Sequence, residues 1–253
     1  MLNRPMVSFL PIILCLWLAT QLGVYLRRRR PLKDNERDDF GVIQAATLTL
    51  LALIIGFSFS MAISRYDLRK TYEEAEANAI GTEWVRAGLL PAPDAAKVRS
   101  QLRRYTDLRI AFYRTRDEQE LQQINNDTSN LQNEMWAAVQ TPALSQPTPV
   151  MALAVSGMND VLNSQGYTQA AWWNRIPTSA WGLLIITAIC CHVLVGYGAR
   201  GEKMSASLLI VLPLVISISF LLIADIDAPR RGLIRVKPQN LMALADSLPK
   251  QLP

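Results

Sequence analysis

The side chains able to do chemistry are few, and most of them gather in one stretch. Glu73, Glu74, Glu76 and Glu83 offer carboxylates that could ligate a hard cation. Arg69 and Lys70 stand one helical turn before Glu73 and Glu74, so ion pairing along a solvated helix face accounts for that pattern without a metal. His192 is the sole histidine, which excludes a multi-histidine metal site within one chain. Lying in an apolar run, it could relay protons, but a helix–helix hydrogen bond is the plainer role. The chain carries no Gly-rich phosphate loop, no His-Glu-x-x-His pair and no Gly-x-Ser-x-Gly elbow. No catalytic residue, metal or cofactor is expected, and the chain does not read as an enzyme. Cys15, Cys190 and Cys191 all lie in apolar runs and form no disulfide framework.

A second kind of chemistry is physical. Leu51, Ile55 and Phe59 stand at i, i+4 and i+8 on one helical face. They could form a narrow apolar neck that gates ions by dewetting, or they could simply pack against other helices. Ser58, Ser60 and Ser64 could line a path or bond back to their own helix. Arg65, Asp67 and Arg69 follow directly, and Asp225 and Asp227 end another apolar run. Opposite charges at the edge of a membrane should pair, so an Arg–Asp contact is expected there.

The elements that carry these residues are set by where charge is missing. Residues 5–26, 40–64 and 204–224 contain no Asp, Glu, Lys, Arg or His, and residues 176–199 contain only His192. A helix rises ~1.5 Å per residue and needs ~20 residues to cross a ~30 Å hydrocarbon core. The fold expected is therefore all-α: a four-transmembrane-helix integral membrane protein, with spans near 6–26, 41–63, 178–198 and 205–224. An extramembrane helical domain at 65–175 is inserted between the second and third spans. The parts are then 1–64, 65–175, 176–224 and a polar tail at 225–253. The first span ends in Arg27–Arg30 rather than at a small-residue cleavage site, so it reads as retained.

Helix formers run unbroken past Arg65, which predicts one helix from the second span to about Leu90, ended by Pro91 and Pro93. Asp94 is a candidate N-cap for the next helix. Val98, Leu102, Tyr105 and Phe112 share a face, as do Leu121, Ile124, Thr128, Leu131, Met135 and Ala138. Asn125–Asp127 could break that second run. The prolines in 141–149 read as a linker, followed by a shorter helix over 150–163 with Gly166 at its exit. Trp172 and Trp173 read as an interfacial aromatic belt, and residues 240–248 as a short amphipathic helix.

Four crossings put both termini and the helical domain on one side. Arg27, Arg28, Arg29, Arg30, Lys33, Arg37, Arg200 and Lys203 fall in the short connectors on the other side. Short basic loops favour the cytoplasm, so the expectation is a bacterial inner-membrane protein with a periplasmic domain. The basic run beside a span reads as a topology signal or a contact for anionic lipid rather than for nucleic acid.

One string is distinctive. Gly56 to Lys70 is followed by Glu76-Ala77-Asn78-Ala79-Ile80-Gly81-Thr82-Glu83-Trp84-Val85-Arg86, and Asp225-Ile226-Asp227-Ala228-Pro229 follows the last span. The chain thereby resembles the uncharacterised bacterial bestrophin-like domain family over nearly its whole length. Glu76, Asn78, Gly81, Thr82 and Arg86 carry that motif. More distantly it is similar to bestrophins, which are pentameric anion channels. Their acidic calcium clasp is reduced here to Asp225 and Asp227. The resemblance implies a homo-oligomeric ion channel in the lipid bilayer, with inorganic ions as its ligands. The alternative is a membrane-anchored helical scaffold that binds a partner through residues 94–140.

Overall fold

The computed structural model describes residues 5–199 and 206–249. Arg200, Lys203 and the start of the fourth window lie outside them. The described chain is helical throughout and holds no strand. Its helices are α1 (Pro5–Arg29), α2 (Arg37–Arg86), α3 (Ala92–Arg114), α4 (Glu118–Ser145), α5 (Pro149–Trp173), α6 (Thr178–Gly198), α7 (Ala206–Asp227) and α8 (Gln239–Ser247). Four helical stretches are long and apolar enough to cross a membrane: Phe9–Arg29, Asp34–Leu89, Pro149–Gly198 and Leu209–Asp227.

The expected long helix is present. α2 runs 50 residues without interruption, and a 3-10 turn at Ala87–Leu89 ends it before Pro91. Other boundaries differ from expectation. α3 begins at Ala92, with Pro93 rather than Asp94 in the entry position, because a proline fits where the first N–H groups lack partners. α4 is continuous through Asn125–Asp127, its start fixed by Asp117, whose carboxylate accepts from the N–H groups of Gln119 and Glu120 at 2.9 Å. The supposed linker is mostly helix. Pro142 lies inside the last turns of α4, and only residues 146–148 connect to α5. Thr148 caps α5, which passes Gly166 and ends at Trp173. A glycine in open space lowers helix stability by only ~0.5–1 kcal/mol, which packing elsewhere on α5 can offset.

Two compact units divide the chain. The first comprises the residues up to Arg65 together with Arg175–Ile234. In it α1 packs on α6 at a pair of glycines. A Cβ on Gly23 would overlap the Val193 carbonyl oxygen, and one on Gly196 would overlap that of Thr20. Small residues let the two backbones touch, the usual device for helix association in lipid. Trp181 of α6 meets Phe220 of α7 edge-on, with ring centres 6.3 Å apart.

The second unit comprises Tyr66–Asn174 together with the tail from Arg235. The apolar faces read from α3 and α4 form its core. Val98, Leu102, Tyr105, Phe112, Leu131 and Met135 are buried there with Ile80, Met158 and Leu241. Trp172 belongs to this core as well, while Trp173 is exposed, so the two do not act as a matched interfacial pair.

Candidate functional site

Most of the residues singled out from the sequence lie on α2, while His192 lies on α6 and Asp225 and Asp227 end α7. Within the first unit the buried and half-buried positions of α2 include Leu51, Ile55, Ser58, Ala62 and Arg65, and within the second Arg69, Glu73, Glu76, Ile80 and Glu83, each set at the three-to-four spacing of a helix. In the first unit these positions are apolar or small as far as Ala62 and end in Arg65. In the second they are largely charged. The expectation of a solvated acidic face is therefore corrected: Glu73, Glu76 and Glu83 are buried, and of that set only Glu74 is exposed.

The neck candidates sit on or beside those positions of the first unit. Leu51 is 1% exposed, so it packs against its own chain and has no open face to offer a pore. Ile55 and Phe59 are half-buried and border a hollow of ≈ 300 Å³ with Ser219, Leu222 and Ile223 of α7. Exposed along this stretch are Leu50, Ala52, Leu53, Gly56, Phe57, Ser60, Met61, Ile63 and Ser64. Leu53 is 54% exposed and Phe57 68%.

At the end of the first unit, Arg65 lies 3.8 Å from Asp227, close enough for an ion pair but too far for a hydrogen bond. Asp227 is held more firmly by the backbone, since both its oxygens accept the Ile176 N–H at 3.1 and 3.2 Å. Asp225 accepts the N–H groups of Leu233 and Ile234 at 2.8 Å each, folding the chain back after α7. Gly232 makes this fold fit, because a Cβ there would overlap the Asp225 carbonyl oxygen. The two aspartates are thus occupied as backbone anchors. Asp67 is exposed.

In the second unit, Arg69 donates to the carbonyl oxygens of Ala171 (3.2 Å) and Asn174 (3.1 Å). Glu73 accepts the Leu241 N–H at 2.9 Å and the Asn240 side chain at 2.6 Å, which caps the start of α8. Glu76 pairs with Arg109 of α3 and accepts the Thr168 hydroxyl at 3.2 Å. Glu76 and Arg109 are both fully buried. The Arg109 guanidinium also stacks 4.3 Å from the centre of the Phe112 ring. Burial opposes its charge, but Glu76 together with Tyr105 and Tyr113 outweighs that and holds the Arg109 pKa above its ordinary value. Burial, and then the Glu76 charge, push the Tyr105 and Tyr113 hydroxyls well above the usual phenol range.

Sequence reasoning missed Arg109. A signal was there, because it occupies the apolar register of α3 between Tyr105 and Phe112. A charged residue in a core position calls for a buried partner.

The motif residues separate into two groups. Glu76 is internal. Asn78, Gly81, Thr82 and Arg86 line an open groove beside α8, with Asn240, Ala243 and Leu244. Arg86 also reaches Asp160 of α5 at 3.8 Å. Glu83 points into α5, where both its carboxylate oxygens lack hydrogen-bond partners. Burial raises its pKa to about 8, with Arg86 pulling it down and Asp160 pushing it up.

His192 is buried, and its Nδ1 lies 2.6 Å from the carbonyl oxygen of Ala188 on its own helix. Among the described residues no cluster of His, Cys, Asp or Glu has the makings of a metal site.

Comparison with known proteins now bears on this arrangement. The fold matches that of a bacterial bestrophin homolog from Klebsiella pneumoniae, with a TM-score of 0.67 at 13% identity, covering 95% of this chain and 99% of that one. A single-substitution variant of the same homolog gives 0.68 at 12% identity, covering 96% and 99%. At such identities the likeness establishes the fold alone. No curated protein sequence matches the chain. The family description that matches is the bestrophin-like domain, over residues 13–241, and the chain belongs to that family.

Proposed function

We propose that this chain is one subunit of a homo-oligomeric ion channel whose conduction path runs along the outward face of α2. One observation carries the reading. Of the four candidate spans α2 is the least covered by its own chain, with 6% of its most apolar stretch buried against 22–44% in the others. Its open face is not uniformly apolar. Gly56, Ser60 and Ser64 are exposed there, and neither serine hydroxyl makes a hydrogen bond among the described residues. Thr47, Thr49 and Ser219, by contrast, bond back to carbonyls of their own helices. Hydroxyls left open in this way suit water or a neighbouring subunit better than hydrocarbon.

In this reading Leu53 and Phe57 form the narrow apolar segment, because Leu51 is packed inside. Arg65 and Arg69 are turned inward, and the charges exposed beyond the span, Asp67, Lys70 and Glu74, carry no strong excess of one sign. Flux measurements should therefore run chloride and potassium side by side. The family membership and the fold shared with bacterial bestrophin homologs support a channel over an enzyme.

The test is ion flux with purified protein in liposomes, together with its oligomeric size. Flux should appear, and Leu53→Ala with Phe57→Ala should raise it. A monomer that passes no ion even with both replacements overturns the channel. The alternative is the scaffold that binds a partner through residues 94–140, to which the exposed Val85, Leu144 and Trp173 outside that range, each more than 70% accessible, add apolar surface. It would predict capture of a partner protein with no flux.

A further inference from the structure

We propose that the first unit carries a binding site for the phosphate group of an anionic lipid, formed by Arg27, Arg37 and Gln44 in a hollow beside the α1–α2 connector. The hollow measures ≈ 160 Å³ and is lined by these three with Phe40, Gly41 and Gly198 among others. That volume is well above the ~30 Å³ share of one water, so a phosphate group fits. Among the described residues no carboxylate lines it.

The connector as a whole is not simply basic. Residues 27–39 hold six cationic side chains and four acidic ones. The structure sorts them. Arg28, Arg29 and Arg30 are exposed, and Arg29 covers the Tyr25 ring at 4.8 Å. Arg27 alone of the four is half-buried, and among the described residues no carboxylate pairs with it. A half-buried guanidinium without a counter-charge is costly, and an anion in the hollow would relieve that cost. Arg37 gives its Nε to Asp34 at 3.2 Å, which leaves its two terminal nitrogens for a ligand. Gln44 adds an amide held over Gly198, where a Cβ would come within 2.8 Å of its oxygen.

The setting favours a lipid as the source of that phosphate. The hollow stands where the charge-free windows end, and the residues next along the helices expose apolar side chains: Leu22, Leu26, Val42 and Ile43. A head group held by Arg27 and Arg37 would let its acyl chains lie along them.

The experiment uses full-length protein in neutral detergent–phosphatidylcholine micelles and measures thermal stability on adding phosphatidylglycerol, more phosphatidylcholine, or inorganic phosphate. Phosphatidylglycerol should raise Tm by about 3 °C or more, and the other two should not. The double variant Arg27→Gln/Arg37→Gln should lose the shift. Arg28→Gln/Arg30→Gln removes equal charge outside the hollow and should keep it. Gln44→Leu, which removes the amide without altering charge, should reduce the shift, and so tests the site even if the arginine variant folds poorly. A full shift in Arg27→Gln/Arg37→Gln, or equal loss in Arg28→Gln/Arg30→Gln, would overturn a defined site in favour of diffuse charge. An equal shift with inorganic phosphate would overturn the lipid as its source.

Discussion

Glu83 of α2 lies against Gly157 of α5 so closely that a methyl group at position 157 would overlap its carboxylate oxygen Oε2. The same methyl would come within 2.8 Å of the Arg86 guanidinium. The glycine is there to make room for a buried acid. Gly157→Ala should therefore destabilise the protein by about 1–3 kcal/mol, the usual cost of overpacking. Gly166→Ala, on the same helix with nothing nearby, should be neutral or gain ~0.5–1 kcal/mol. Thermal unfolding of both variants checks the contrast, and equal effects would refute the crowding argument.

Glu83 should also leave a mark on the pH dependence of stability. Its folded pKa of about 8 lies above the ordinary 4.5. The folded state therefore binds the proton more tightly than the unfolded state does. The stability this contributes is complete below about pH 4.5 and is lost as pH rises through about 8. Glu83→Gln should flatten that part of the Tm–pH profile and raise Tm at pH 8 relative to the parent. Parallel profiles for parent and variant would count against a proton held at Glu83.

Asp227 should matter more than the arginine it faces. Removing Arg65 takes away one 3.8 Å ion pair, a loss of ~1 kcal/mol or less. Asp227→Ala removes that pair and also leaves the buried Ile176 N–H without its acceptor, a further ~1–3 kcal/mol. The expected order of loss is Asp227→Ala above Arg65→Ala, measured by thermal unfolding in detergent. The reverse order would mean that the ion pair dominates.

One acid ties the start of α8 to α2. Glu73→Ala removes the acceptor of the Leu241 N–H and of the Asn240 side chain. Amide exchange over Gln239–Ser247 should speed up in this variant while α3 and α4 keep their protection. Unchanged exchange in α8 would show that Leu241, buried in the core, suffices to dock it.

How far the sequence could be read depended on which force shaped each element. The spans follow from missing charge, a signal carried by every residue in a window. α2 follows from continuous helix propensity across Arg65, and α8 from a short amphipathic run. What stayed hidden was which face of α2 turns inward. Periodicity alone could not choose, because the membrane half is apolar all round, and Leu51, Ile55 and Phe59 looked as open as Leu53 and Phe57. In the second unit the buried positions of α2 are largely charged, which reverses the usual rule that acids face water. Only the partners settle it, and they are remote in sequence: Arg109 and Thr168 for Glu76, Leu241 for Glu73. Pro142 misled because its missing N–H costs α4 a single bond, to the carbonyl of residue 138, and the helix still runs on to Ser145.

The glycine contact between α1 and α6 sets a condition on how the protein is made. α1 is complete at residue 29, but the helix that its Gly23 face needs ends at residue 198. At ~5–20 residues per second, roughly 10–30 s of translation separate the two. Through that interval α1 must sit in the bilayer without its partner. A chain halted before α6 would leave that notch open to lipid.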